Sequence, residues 1–338
     1  MKKILTRIIQ FVLFPALGLF IIWQLYKEQK VSDIVDILKN DLNYSWIWLS
    51  AILAVFSHLS RAMRWQMLIE SAEKKTRLSN TFWAVMTGYL ANYALPRLGE
   101  VSRCGVLSKY EKISFTRVVG TVVAERLIDL LMLMLIVITV FAIQFNFLKD
   151  FMYSTLNIQD IAVLLKSPFP YLFLGIMAIA IWVLKRNIHK LSLFKQLKGL
   201  LAKFMEGFIS IRKVKNKPLF IFHTLFIWTM YFLMIYVCFF SMKETSHLTL
   251  GAGITILFTG SLGMLAPVQG GIGPWHFMVI ATLKLYGIPA DSANIFALVA
   301  HAAQTGMIIV TGLLAFIILP IINKPRNESN TEEAIQLS

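Results

Sequence analysis

Glu125, Arg126 and Asp129 stand close together in a segment that is otherwise apolar, and they set the chemistry the chain can do. Residues four apart share one face of a helix, so Glu125 and Asp129 line up with Arg126 beside them. A guanidinium so placed can hold a phosphate or carboxylate, and a carboxylate can pass a proton. After Asp129 only Leu130–Ile143 remain apolar, about 21 Å of helix, so the charged turn itself lies inside a bilayer. Each such charge costs about 2.5–3.5 kcal/mol on insertion, so it needs a partner or a wet cavity. Arg126 is expected to neutralise one carboxylate and leave the other to Arg97 or Arg103. A purely structural ion pair between helices is the alternative.

A second polar group is Asn92, Pro96, Arg97, Gly99, Glu100 and Arg103. A proline break frees backbone N–H groups, and with arginine forks nearby this suits an anion. Glu100 and Arg103, three apart, can instead pair with each other, and an ordinary loop with a proline turn is the plain alternative. A third group follows Pro267: Gly270, Gly271 and Gly273, then His276, with His301 and Gln304 further on. The glycines allow close approach of a ligand or of another helix. The histidines serve either packing or a proton or head-group role. His58, Arg61 and Arg64 recur at helical spacing; the two arginines are expected to snorkel to head groups as topology anchors, a cluster that receives a phosphate being the alternative. No metal-ligand spacing, zinc-protease, serine-hydrolase or Walker motif occurs. The expectation is therefore neither an enzyme nor a holder of a cofactor or metal. Cys104 and Cys238 are expected to be reduced and structural.

These residues need a membrane to position them. Of 338 residues 57% are hydrophobic and only 15% charged, which a soluble domain of this size does not tolerate. The net charge of +15 does not mark a nucleic-acid binder, because the basic residues alternate with long apolar runs. Six stretches are long enough to span: 8–26, 44–63, 117–145, 169–185, 218–241 and 292–320. Segments 31–40 and 190–213 read as amphipathic surface helices, and 324–338 as a disordered tail outside a polytopic domain over 1–323. Two shorter apolar runs, 81–95 and 253–266, stop at Pro96 and Pro267 and return over 98–110 and 275–287. Both read as re-entrant hairpins, tolerated where buried or facing water. With the N-terminus inside, 25 of the 33 Lys and Arg residues fall in cytoplasmic segments and seven outside, Arg126 being within a span, as the positive-inside rule requires. Pro96 and Pro267 lie 171 residues apart, and the same offset relates other element starts. This suggests inverted halves over about 8–150 and 165–320. The fold class is thus an all-α integral membrane protein with six spans and two re-entrant hairpins.

Asn92-x3-Pro96-Arg97-x-Gly99-Glu100-x2-Arg103, Glu125-Arg126-x2-Asp129 and Pro267-x2-Gly270-Gly271-Ile272-Gly273 resemble the flippase-like family built on the transmembrane region of lysylphosphatidylglycerol synthase. The resemblance covers roughly 8–320. It implies a multi-pass protein of a bacterial or archaeal inner membrane, both termini cytoplasmic, that moves a lipid between leaflets. Family members often carry an acidic residue where this chain has Trp275-His276, and an arginine where it has His301, which implies a different lipid or different proton coupling. The aminoacyl-transferase domain is absent from this sequence, so lysyl transfer is not expected. The expected partners are anionic or polyprenyl-linked membrane lipids, with homo-oligomers open and nucleic acid excluded. An intramembrane enzyme acting on a lipid and a non-catalytic scaffold are the rival readings.

Overall fold

The computed structural model describes residues 15–95, 98–155 and 213–324, and no strand occurs among them. The expected span 169–185, all but the last residue of the surface helix at 190–213, the tail after Lys324, and Pro96 and Arg97 lie outside the described residues, as does the start of the span expected over 8–26. The described residues form ten α-helices, in order α1 (Pro15–Tyr26), α2 (Val31–Asn40), α3 (Tyr44–Ala72), α4 (Leu78–Ala94), α5 (Leu98–Glu111), α6 (Phe115–Thr155), α7 (Lys217–Cys238), α8 (Leu250–Met264), α9 (Pro274–Leu285) and α10 (Ala290–Ile322).

Among the described residues, four segments are long and apolar enough to cross a membrane: Tyr44–Ala72, Phe115–Phe145, Lys217–Ser241 and Ala290–Ile322. They match four of the six expected spans. Their starts are set by local chemistry. Asn43 accepts from the Ser45 N–H to cap α3, and Asn216 accepts from the Leu219 N–H to cap α7, with a proline in its first turn. The outer face of α6 carries Leu131, Met134, Leu135, Ile138 and Phe141, each at least half exposed. An apolar face of this extent is stable against lipid, not water.

The two short apolar runs are helical hairpins. In the first, α4 and α5 run antiparallel. Arg77 and Asn80 at the start of α4 donate to Glu111 at the end of α5 (3.0 and 2.7 Å). Near the turn the Gly99 N–H donates to Asn92 Oδ1 at 2.7 Å. Backbone meets backbone at Gly88 and Gly99, where a methyl group would strike the facing carbonyl oxygen. In the second hairpin, Gly263 of α8 lies against the backbone of Pro274 and Trp275, and a Cβ there would come within 2.7 Å of the Trp275 Cα. Lower down the legs, Thr282 donates to Thr259 at 2.8 Å and Tyr286 to Thr255 at 3.0 Å.

The long helix α10, about 50 Å at 1.5 Å per residue, relates the hairpins. The base of the first meets the end of α10, where Asn80 and Asn323 exchange side-chain hydrogen bonds (3.0 and 2.8 Å). The base of the second packs on the other end, where Leu283 and Ile288 share a core with Ala293, Ile295 and Phe296. The tips therefore approach from opposite ends of α10 and touch near its middle, where Gly270 packs on the Tyr93 ring. α1 closes over this junction, with Gly18 against Ile272 and Gly273. Gly270, Gly271 and Gly273 have φ of 56°, 74° and 94°, values that L side chains rarely adopt.

Candidate functional site

Seven charged residues from three elements converge beside the first hairpin. Arg61 and Arg64 come from α3, Glu100 and Arg103 from α5, and Glu125, Arg126 and Asp129 from α6. Asp129 takes Arg64 at 2.7 Å and Arg61 at 3.1 Å. Glu125 takes Arg103 at 3.0 Å, Arg61 at 3.4 Å and Arg64 at 3.8 Å. Arg126 reaches Glu100 at 3.1 Å and Asp129 at 3.6 Å. Among the described residues four guanidiniums thus face three carboxylates, leaving one positive charge in excess.

Burial grades the cluster. Glu125 and Arg64 are fully enclosed, and Arg61 and Arg103 nearly so, while the Arg126 side chain is 45% and that of Glu100 33% exposed. Aromatic faces complete the inner shell. Arg103 lies 4.5 Å from the Trp65 ring centre, and Arg61 5.9 Å from both Tyr89 and Tyr231. Trp65 is fixed in turn by donating to Thr121 at 2.9 Å. Buried N–H groups of Arg61, Arg64 and Arg103 have no hydrogen-bond partner among the described residues. Donors left so in a dry interior are costly unless something else meets them.

A recess lies over the half-exposed pair, lined by Arg61, Gly88, Asn92, Gly99, Glu100, Arg103 and Arg126 among others. Its free volume of about 10 Å³ is room for one water. Nothing larger fits the recess as it stands.

One expectation and one alternative are corrected here. Arg61 and Arg64 do not snorkel to head groups: facing Glu125 and Asp129, they gain more from buried carboxylates than from distant water. Glu100 and Arg103 do not pair with each other, because Arg103 turns inward to Glu125 and Glu100 outward to Arg126. The described candidates form two groups. Gly270, His276 and His301 gather at the hairpin tips, apart from the ionic cluster, and Gln304 points elsewhere, donating to Ser50 on α3 at 3.0 Å. Only the helical register of Arg61 and Arg64 signalled their part in the site, since arginines at a span's end usually mark topology.

The tips carry a directional hydrogen-bond chain. The Gly270 carbonyl can only accept, so His301 Nε2 donates to it at 2.9 Å. His301 Nδ1 then accepts from Thr305 (3.2 Å), whose hydroxyl accepts from Tyr93 (3.0 Å). The His276 and His301 rings stand 4.5 Å apart, and His276 Nδ1 accepts from the Gly273 N–H at 3.4 Å. The chain links α4 to the second hairpin through α10. His301→Ala is expected to leave the Gly270 carbonyl unpaired, costing about 1–3 kcal/mol locally. Cys238, buried in the second hairpin's core, then reacts faster with a thiol reagent; an unchanged rate overturns the expectation.

Fold and site together define an all-α, multi-pass membrane protein with a buried ionic cluster beside one broken helix. The chain belongs to the family described as the lysylphosphatidylglycerol synthase TM region, whose model matches residues 7–312. That membership makes it a lipid-related membrane protein. No curated protein and no solved structure matches the chain.

Proposed function

We propose that this protein moves an anionic or lipid-linked head group between leaflets, with the ionic cluster as its binding site. The observation that carries the reading is the surplus positive charge, together with unpartnered guanidinium donors behind a half-exposed Arg126–Glu100 pair. A phosphate arriving at Arg126 replaces Glu100 as its partner and finds Arg61 and Arg103 behind it, while the lipid tails stay in the bilayer. Asn92 lines the same recess; its Oδ1 is taken by the Gly99 N–H, and its amide N–H group is the polar contact it offers. Two hairpins entering from opposite ends of α10 support inverted halves and alternating access by rocking of one against the other. The basic-residue bias supports an inner-membrane location with both termini in the cytoplasm. Movement then draws on a gradient, a lipid imbalance or a partner.

The saturation of the cluster by seven ion pairs favours a second reading, in which it only clamps α3, α5 and α6 in a scaffold. Reconstitution in vesicles with a labelled anionic lipid separates the two. Wild type is expected to transfer the label across the bilayer and Arg126→Ala to lose about tenfold or more in rate, one strong charge-assisted contact. Equal transfer by the two proteins favours the scaffold.

A further inference from the structure

A second recess lies at the base of the first hairpin, beyond the end of α10 and apart from the ionic cluster. Its free volume is about 810 Å³, the size of a small-molecule site. Six cations line it: Lys74, Lys75 and Arg77 from the α3–α4 connection, Lys109 and Lys112 from the end of α5, and Lys324 after α10. The single carboxylate in the lining, Glu111, is already occupied by the Arg77 backbone N–H and the Asn80 side chain. None of the six makes an ion pair among the described residues. The reciprocal Asn80–Asn323 bonds tie the two sides of the recess together, so its shape is held by the fold and not by a ligand.

Its surroundings indicate what it takes. The outer face of α10 presents Val310, Leu313, Phe316, Ile317 and Ile321, each more than half exposed, and this apolar stripe ends at Ile322 on the recess rim. An apolar track leading into a polybasic cup is the arrangement at head-group level in a bilayer. A freely dissolved anion has no use for the track.

We propose that this recess is a binding site for the phosphate-bearing head group of an anionic lipid whose chains lie along α10. It is independent of the transport reading, because none of its residues belongs to the ionic cluster.

The test is native mass spectrometry of the full chain in detergent, with added phosphatidylglycerol or phosphatidylcholine. Wild type is expected to retain the anionic lipid preferentially. The variant Lys74→Gln/Lys75→Gln/Lys109→Gln loses that preference by about tenfold, since each lysine near anionic head groups contributes. All three side chains are exposed, so folding is not at stake. Lys112 is left intact because its φ of 54° is unusual for a lysine, and changing it alters the backbone as well as the charge. Lys243→Gln/Lys284→Gln, at the other end of the molecule, keeps the preference. Equal retention of the two lipids, or no effect of the triple variant, overturns the site. Full displacement of phosphatidylglycerol by millimolar inorganic phosphate shows that the ligand is a free anion and overturns the lipid assignment.

Discussion

Glu125→Ala is expected to destabilise the protein by about 3–5 kcal/mol, the cost of breaking a buried ion pair from one side. Arg61 and Arg64 keep Asp129 as a partner, but Glu125 is the only carboxylate within 4 Å of Arg103 among the described residues. Arg103 then remains as an enclosed cation with little more than the Trp65 face opposite it. The double variant Glu125→Ala/Arg103→Met removes the orphan along with its partner, so it should be more stable than Glu125→Ala alone. Arg126→Ala, half exposed, should cost about 1 kcal/mol or less. Thermal unfolding in detergent compares the three. Equal losses for Glu125→Ala and Arg126→Ala would show that burial does not grade the cluster as described.

Gly99→Ala should be nearly as severe, for a steric reason. The new methyl would collide with the Gly88 carbonyl oxygen and come within 2.6 Å of the Asn92 side chain. The first obstacle is backbone and cannot swing aside, so α4 and α5 must separate. Overpacking of this kind costs about 1–3 kcal/mol or more. It also moves Arg103, one turn further along α5, away from Glu125, so the cluster loosens with the hairpin. The two cysteines report separately, since Cys104 is buried in the first hairpin's core and Cys238 in the second's. In single-cysteine backgrounds made by Cys104→Ser or Cys238→Ser, Gly99→Ala is expected to speed labelling of Cys104 and leave Cys238 unchanged. Gly105→Ala, where a Cβ meets nothing within 4 Å, is the matched control. If both glycine variants label alike, the close approach of α4 and α5 is not what holds the hairpin.

Much of the fold was legible from one dimension. Apolar length marked six spans, four of which the described residues match, and the polar breaks near residues 96 and 267 ended two helices too early to cross. Length and hydropathy are local quantities, so they survive in the sequence. The clustering of Glu125 with Asp129 was legible too, because four residues make a turn and both fall on one face. Partner choice was not. Arg61 and Arg64 stand about 60 residues before Glu125, and their register fits an interfacial anchor as well as a buried clamp. Glu100 and Arg103 satisfy a helical pairing rule, yet each finds a better partner across an interhelical gap.

By itself, then, the sequence determined that this is a membrane protein with two broken helices and charges that need company inside the bilayer. Solvent preference and helix length are summed along the chain, and nothing distant alters them. Only the tertiary structure decided which arginine meets which carboxylate, that the hairpin tips meet at His301 and not at the charges, and that one cation is left over. Those outcomes depend on which helix faces lie within about 4 Å of each other, the range over which oppositely charged side chains compensate one another's burial.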